Sequence, residues 1–255
     1  MQIYVCLKHV PDTAANITLK GEADYEAGAL KFVANPYDEY AVEEAVRLVE
    51  KSGEGEVVLV TVGPAEAANT LRSSLAMGAH RGLLIISDQK FLDSKTTAKA
   101  LHAAIEQDGA PDLIFTGKVA VDTEGSQTPY RLANLFDMPV VNEISALSLQ
   151  DGTAVAERER GAGSREVLEM QTPCVLGATK GLNEPRYPKF PDIMKAKKKT
   201  IKELSLADLV PNPEGQPNLL KLEPVPERSG ARMMQGSVPE SVDQLIRTLK
   251  EEKVL

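Results

Sequence analysis

Four short runs in the first half of the chain, Ile3 to Leu7, Val57 to Val62, Leu83 to Ile86 and Asp112 to Thr116, are almost continuously apolar. A strand with one face in water alternates polar and apolar residues, so runs of this kind belong to strands covered on both faces. The stretches between them supply the covers: Val42, Ala45, Val46 and Val49 share one helical stripe, as do Ala68, Leu71 and Leu75, and again Ala98, Leu101 and Ile105. Strand and helix in alternation predict an α/β fold with a doubly wound, mostly parallel sheet. Asn35 and Pro36 announce the first helix, the one as a capping side chain and the other as a residue whose missing N–H costs nothing in a first turn. Asp38 and Glu39 then suit the positive end of the helix dipole.

From about Ser145 the pattern changes to alternation, with Val155, Arg158, Val167, Leu168 and Met170 around the turn-like Gly161-Ala162-Gly163, which predicts an antiparallel hairpin. Residues 180–199 are rich in Pro and Lys, and Pro211, Pro213, Pro217, Pro224 and Pro226 punctuate a stretch without helical period, read as a linker or extended arm. The tail recovers a helix, with Val238, Val242, Leu245, Ile246 and Leu249 on one face and Ser237 and Glu240 at capping-box spacing. The expected division is an α/β domain over 1–190 and an arm with a terminal helix over 191–255. That helix must bury its stripe on this chain's core or on another chain.

Several function classes lose ground at once. With 29 basic against 37 acidic side chains the net charge is −8, unlike the basic face of a nucleic-acid binder. The apolar runs fall far short of the ~20 residues that cross a bilayer, so no membrane insertion is expected. The first residues lack the cationic start and cleavage site of a secretory signal, and Cys6 and Cys174 suggest neither a disulfide framework nor a zinc site, which fits a reducing cytoplasm. His9, His80 and His102 have no ligand-spaced neighbours and read as packing or surface residues. There is no G-x-S-x-G, no P-loop and no G-x-G-x-x-G after the first strand.

Two segments remain. Gly117 to Pro129 starts at the carboxyl end of an apolar strand and leads into an apolar stretch, Tyr130 to Phe136, a place where small hydroxyl residues and backbone N–H groups can cradle a phosphate or simply cap a helix. Asn35 and Pro36 follow the chain between the first strand and its helix, which predicts the same edge for them. The other is Gly181 to Lys199, where prolines around Phe190 limit helix formation and hold an aromatic side chain outward on a stiff loop, or plug it into the core. Its Lys run reads as a solvated face.

The residues Asn35 to Ala45, Ala76 to Gly82, the Asp122 to Pro129 loop, and above all Leu182-Asn183-Glu184-Pro185-Arg186-Tyr187 with Ile193 to Lys199 resemble the electron transfer flavoprotein β-subunit family over almost the whole chain. The resemblance implies a heterodimer whose α subunit holds the redox-active FAD, while the β subunit supplies a Rossmann-like nucleotide-binding domain and an arm that embraces the partner. It implies no catalytic acid or base in this chain, and a structural AMP contacted by Cys6, Asn35, Pro36, Tyr37, Asp38, Val62, Asp122, Thr123, Glu124, Gly125, Ser126, Gln127, Thr128 and Pro129. Docking to acyl-CoA-type dehydrogenases would fall to Tyr187, Phe190, Ile193, Met194 and Lys195, with Phe190 where the family usually has Leu. A membrane quinone oxidoreductase or another acceptor would take the electrons. The family's bifurcating branch holds a second FAD in place of AMP and oxidises NADH there. The start of this chain, Val5 to Thr13, resembles that branch, whereas Met194 to Lys199 and Gln127-Thr128 resemble the carriers. The chain departs from the family at Gly161, Ala162 and Gly177, and Pro129 removes a backbone donor.

Overall fold

The computed structural model describes residues 1–213, 219–226, 230–231 and 233–255. The four apolar runs form β1 (Gln2–Cys6), β4 (Glu56–Gly63), β5 (Arg81–Ile86) and β6 (Leu113–Gly117), while two short strands after β1, β2 (His9–Pro11) and β3 (Phe32–Ala34), pair with each other. The helices are α1 (Pro36–Ser52), α2 (Ala67–Leu75), α3 (Ser94–Asp108) and α4 (Thr128–Phe136), followed by β7 (Val140–Gln150), β8 (Thr153–Gly161), β9 (Ser164–Gln171) and β10 (Cys174–Ala178). The chain continues through α5 (Phe190–Ala196), β11 (Ile201–Ser205), α6 (Leu206–Leu209) and α7 (Val238–Glu251).

Among the described residues, nine strands form one sheet in the order β11-β5-β4-β1-β6-β10-β7-β8-β9. It is parallel from β11 to β7 and ends in the antiparallel hairpin, with the turn at Gly161 to Gly163. Successive strand residues point to opposite faces, and both faces are covered. Ile3, Val5, Leu59 and Phe115 pack under the stripes of α1 and α2, whereas Tyr4, Val60, Ile85 and Ile114 pack under Ala98, Leu101 and Ile105 of α3 and Leu132 of α4. This is why the runs are continuous, and the architecture is the doubly wound α/β sandwich expected.

The structure corrects the sequence reading in places. Asn35 sits at the cap of α1 yet makes no side-chain cap bond, because its amide is used across the molecule, as described below. The sheet does not end at residue 190, since β11 adds to its far edge beside β5. Phe190 opens a helix despite the prolines, with Pro191 in the first turn, where no N–H is needed. Lys199 leaves the solvated run: it is half-buried, and its ammonium donates at 2.9 Å to the carbonyl of Leu75, at the negative end of α2, and at 2.6 Å to that of Ala79 in the turn beyond. The described parts of the Pro-rich stretch, 211–213 and 219–226, carry neither helix nor strand, and Pro217 lies outside the described residues. In α7 the Ser237–Glu240 capping box is formed, but no residue of the helix is buried.

Candidate functional site

The strand order changes direction between β1 and β6. From β1 the chain leads to α1 on one face of the sheet, and from β6 it leads to α4 on the other. The two connections therefore part at the carboxyl ends and leave a crevice of the kind in which α/β sheets bind ligands. Cys6 ends β1, Asn35 to Asp38 begin α1, Val62 lies near the end of β4, and residues 122–129 link β6 to α4, so the residues expected to contact a nucleotide share this edge.

A buried carboxylate ties the two walls. Asp38 accepts from the Lys8 amide at 2.6 Å, the Asn35 side-chain amide at 2.8 Å and the Gly117 amide at 3.0 Å. Burial pushes its carboxyl up to about 7, against the downward pull of these donors. A Cβ at Gly117 would stand 2.2 Å from Asp38 Oδ1, so only glycine admits this contact. Asn35 also donates to the Val119 carbonyl at 3.0 Å and accepts from the Val121 amide at 3.1 Å. The Asn-Pro pair thus works as a brace for the opposite wall instead of a cap. Burial raises the Cys6 thiol well above its ordinary value and keeps it protonated, so it packs and does not react.

The loop itself is exposed from Asp122 to Gln127, and Pro129 is buried within the first turn of α4. Lys8, which the sequence reading did not single out, bridges to Asp122 Oδ1 at 2.7 Å and Thr123 Oγ1 at 3.2 Å. Its position directly after β1, at the carboxyl end of the sheet, was the available signal. Glu124 (φ 48°) and Ser126 (φ 51°) adopt left-handed conformations on either side of Gly125. For side chains other than Gly such conformations cost ~1–2 kcal/mol each. Gln127 accepts from Ser94 at 3.0 Å and Arg131 at 2.7 Å, which seats the loop against the start of α3. The excursion between β2 and β3 reaches the same edge, where Lys90 bonds to Asp24 and to the Tyr25 carbonyl and lies 3.8 Å from the centre of the Tyr25 ring.

The expected docking residues form a second, separate face. Tyr187 is 94% and Phe190 75% exposed, with Ile193, Met194 and Lys195 exposed beside them on α5. The preceding loop is riveted to α1. Asn183 donates to the Tyr40 carbonyl at 3.0 Å and Glu44 at 2.9 Å, while Arg186 bonds to Glu43 at 2.8 Å and Glu50 at 2.6 Å. These contacts explain the buried Glu43 and Glu44 and hold the Glu50 carboxyl below its usual range. Because Glu50 belongs to the last turns of α1, the exposed patch lies toward the amino ends of the strands, away from the crevice. A cavity of about 430 Å³ beneath it is lined by Met77, Arg186, Tyr187, Lys189 and Lys195 among others.

Residues 26–209 match the family described as the electron transfer flavoprotein domain. The chain is 37% identical to the electron transfer flavoprotein subunit beta of Bacillus subtilis over 99% of its own length and 98% of that protein's. It is 40% identical to the subunit of the same name from Syntrophomonas wolfei, over 79% and 78% of the two chains. The mouse protein, also an electron transfer flavoprotein subunit beta, is 35% identical over 98% of this chain and 97% of its own. With matches of this extent and the architecture above, the chain belongs to the electron transfer flavoprotein family, as a β subunit.

Proposed function

We propose that this chain, paired with an α subunit, carries electrons from acyl-CoA-type flavin dehydrogenases in the cytoplasm to a downstream acceptor such as a membrane quinone oxidoreductase, and that it holds a structural AMP. The observation that carries the reading is the loop at the switch point. Its left-handed residues Glu124 and Ser126 flank Gly125 immediately before α4, a backbone arrangement that suits a phosphate group. Lys8 offsets the Asp122 carboxylate there. FAD, held mainly by the α subunit, supplies the one- and two-electron chemistry.

This chain's contributions are to bind and to orient. Asp38 and Asn35 hold the crevice walls in register, and residues 122–129 receive the nucleotide. Tyr187, Phe190, Ile193, Met194 and Lys195 offer the docking contact for a dehydrogenase, with the aromatic ring of Phe190 as its apolar centre. The unburied stripe of α7 suits an arm that closes on the partner subunit. No helix among the described residues is long and apolar enough to cross a membrane.

The test is to purify the complex with its α partner, denature it, and quantify FAD and AMP by chromatography. One FAD and one AMP per heterodimer are expected. Two FAD and no AMP would replace this reading with the bifurcating one, in which NADH is oxidised at the same loop.

A further inference from the structure

The segment that leaves β6 is held by a residue outside every set described so far. Asn142 of β7 is 1% exposed, and its Nδ2 donates at 3.1 Å to the Lys118 carbonyl, which also accepts from Ser126 Oγ at 2.9 Å. In the sheet β10 lies between β7 and β6, so the Asn142 side chain has to pass over it. It does so at Gly177, where a Cβ would stand 1.8 Å from Asn142 Oδ1 and 2.7 Å from its Cγ. Glycine is required there by space, and the departure from the family noted at this position acquires a reason.

The next residue acts on the same lysine. Glu143 has φ 66°, beside the register shift between β10 and β7, and its carboxylate stands 3.7 Å from Lys118 Nζ. The Lys118 amide donates to the Ala178 carbonyl at 2.8 Å. Lys118 is therefore held through its amide, its carbonyl and its ammonium just where residues 118–129 depart. Packing alone does not explain the choice of Asn. Its Oδ1 and the neighbouring Thr116 Oγ1 are buried with no partner among the described residues, a cost that an apolar side chain would avoid.

We propose that Asn142 is a positioning residue for the bound nucleotide, which it serves by fixing the Lys118 carbonyl and hence the path of residues 118–129. Gly177 makes room for it. The proposal rests on the reading that this loop holds an adenine nucleotide.

The experiment uses the heterodimer, with bound AMP counted after gel filtration and its exchange into excess isotopically labelled AMP timed, alongside Tm. Asn142→Ala is expected to speed AMP exchange about five- to ten-fold, the effect of one lost hydrogen bond, while Tm stays within a few degrees. Gly177→Ala drives a methyl group into Asn142, lowering Tm and speeding exchange. In the double variant Gly177→Ala/Asn142→Ala, the truncated amide no longer meets the methyl and the Asn142 Cα remains at 3.1 Å. Tm should recover while exchange stays fast, a split that a merely structural role would not produce. Exchange at the wild-type rate in Asn142→Ala, or exchange that returns to wild type together with Tm in the double variant, overturns the proposal. A wild-type complex with no adenine nucleotide beyond the FAD of the α subunit overturns the nucleotide reading itself, and this proposal with it.

Discussion

Helices α3 and α7 obey the same local rules and end in opposite situations. They have 15 and 14 residues, and each is well capped: Asp93 accepts from the amides of Lys95 and Thr96, and Ser237 and Glu240 form a capping box. Each carries one apolar stripe. In α3, Ala98 and Ile105 are 0% exposed, whereas in α7 Leu245 is 46% and Ile246 40% exposed. The difference lies in the tether. A short connection from β5 delivers α3 onto the sheet, so its stripe closes a core that exists already. α7 follows a Pro-rich stretch that carries no regular structure in its described parts, and nothing in its own chain compels it to pack. Periodicity states the shape of a helix, and the connection decides whose core it covers.

The sharpest way to break this comparison is to truncate one residue in each stripe. Ile105→Ala should destabilise the chain by about 2–4 kcal/mol, since it opens a cavity in a closed core. Ile246→Ala should leave unfolding of the chain within ~0.5 kcal/mol and weaken only its hold on the α subunit. Urea unfolding of the chain and a binding titration would separate them. If Ile246→Ala destabilised the isolated chain as much as Ile105→Ala, α7 would have to dock at home.

The loop between β10 and α5 shows both behaviours side by side, with Arg186 turned inward and Tyr187 outward. Arg186→Ala removes the guanidinium from the buried Glu43, which keeps only the backbone amide of residue 186 at 3.0 Å, and should cost ~2 kcal/mol, a value below that for a fully buried pair because Arg186 is itself partly exposed. The same Tm series should place Tyr187→Ala near wild type.

Acidity sharpens the contrast between the inward wall and the exposed faces. The folded-state value of Asp38 is raised, so the folded chain keeps a proton that the unfolded chain releases. Its contribution to stability is complete at low pH and is lost as pH rises from about 4 to about 7. Asp38→Asn should remove this fall from the stability curve, so that wild-type stability minus variant stability declines as pH rises from 5 to 8, read by urea unfolding. A wild-type-minus-variant difference that rose with pH would contradict a carboxyl whose value is raised by burial. The smallest expected change is in Phe190→Ala, with unfolding within ~0.5 kcal/mol of wild type and reduction by acyl-CoA dehydrogenases slowed several-fold. An unchanged rate with every dehydrogenase tested would remove Phe190 from the docking face.

Much of the framework was legible beforehand. The continuous runs of β1, β4, β5 and β6 require cover on both faces, and the stripes at Val42, Leu71 and Leu101 are the covers. The hairpin at Gly161 to Gly163 and the capping box at Ser237 follow from turn and cap chemistry that acts over three or four residues. The grouping of Cys6, Asn35 to Asp38, Val62 and the 122–129 loop came from resemblance, and the structure places them at one edge. What escaped was every contact between residues distant in sequence. Asn35 looked like a cap because its local setting is that of a cap. Lys8 and Asn142 carried no local signal strong enough to single them out, and Gly117 reads in sequence as the start of a loop, with no sign that it seats Asp38.

The sequence by itself determined the alternation of strand and helix, the burial of the strands on both faces and the amphipathic shape of the tail, because each depends on side chains a few residues apart. Only the tertiary structure decided that β11 closes the far edge of the sheet, that Asp38 joins β1 to β6, that Asn142 crosses Gly177 to reach Lys118, and that α7 is left with an open stripe. These depend on which strands become neighbours and how the chain crosses between them, and a carbonyl more than twenty residues away leaves no periodic trace in the residue that reaches it.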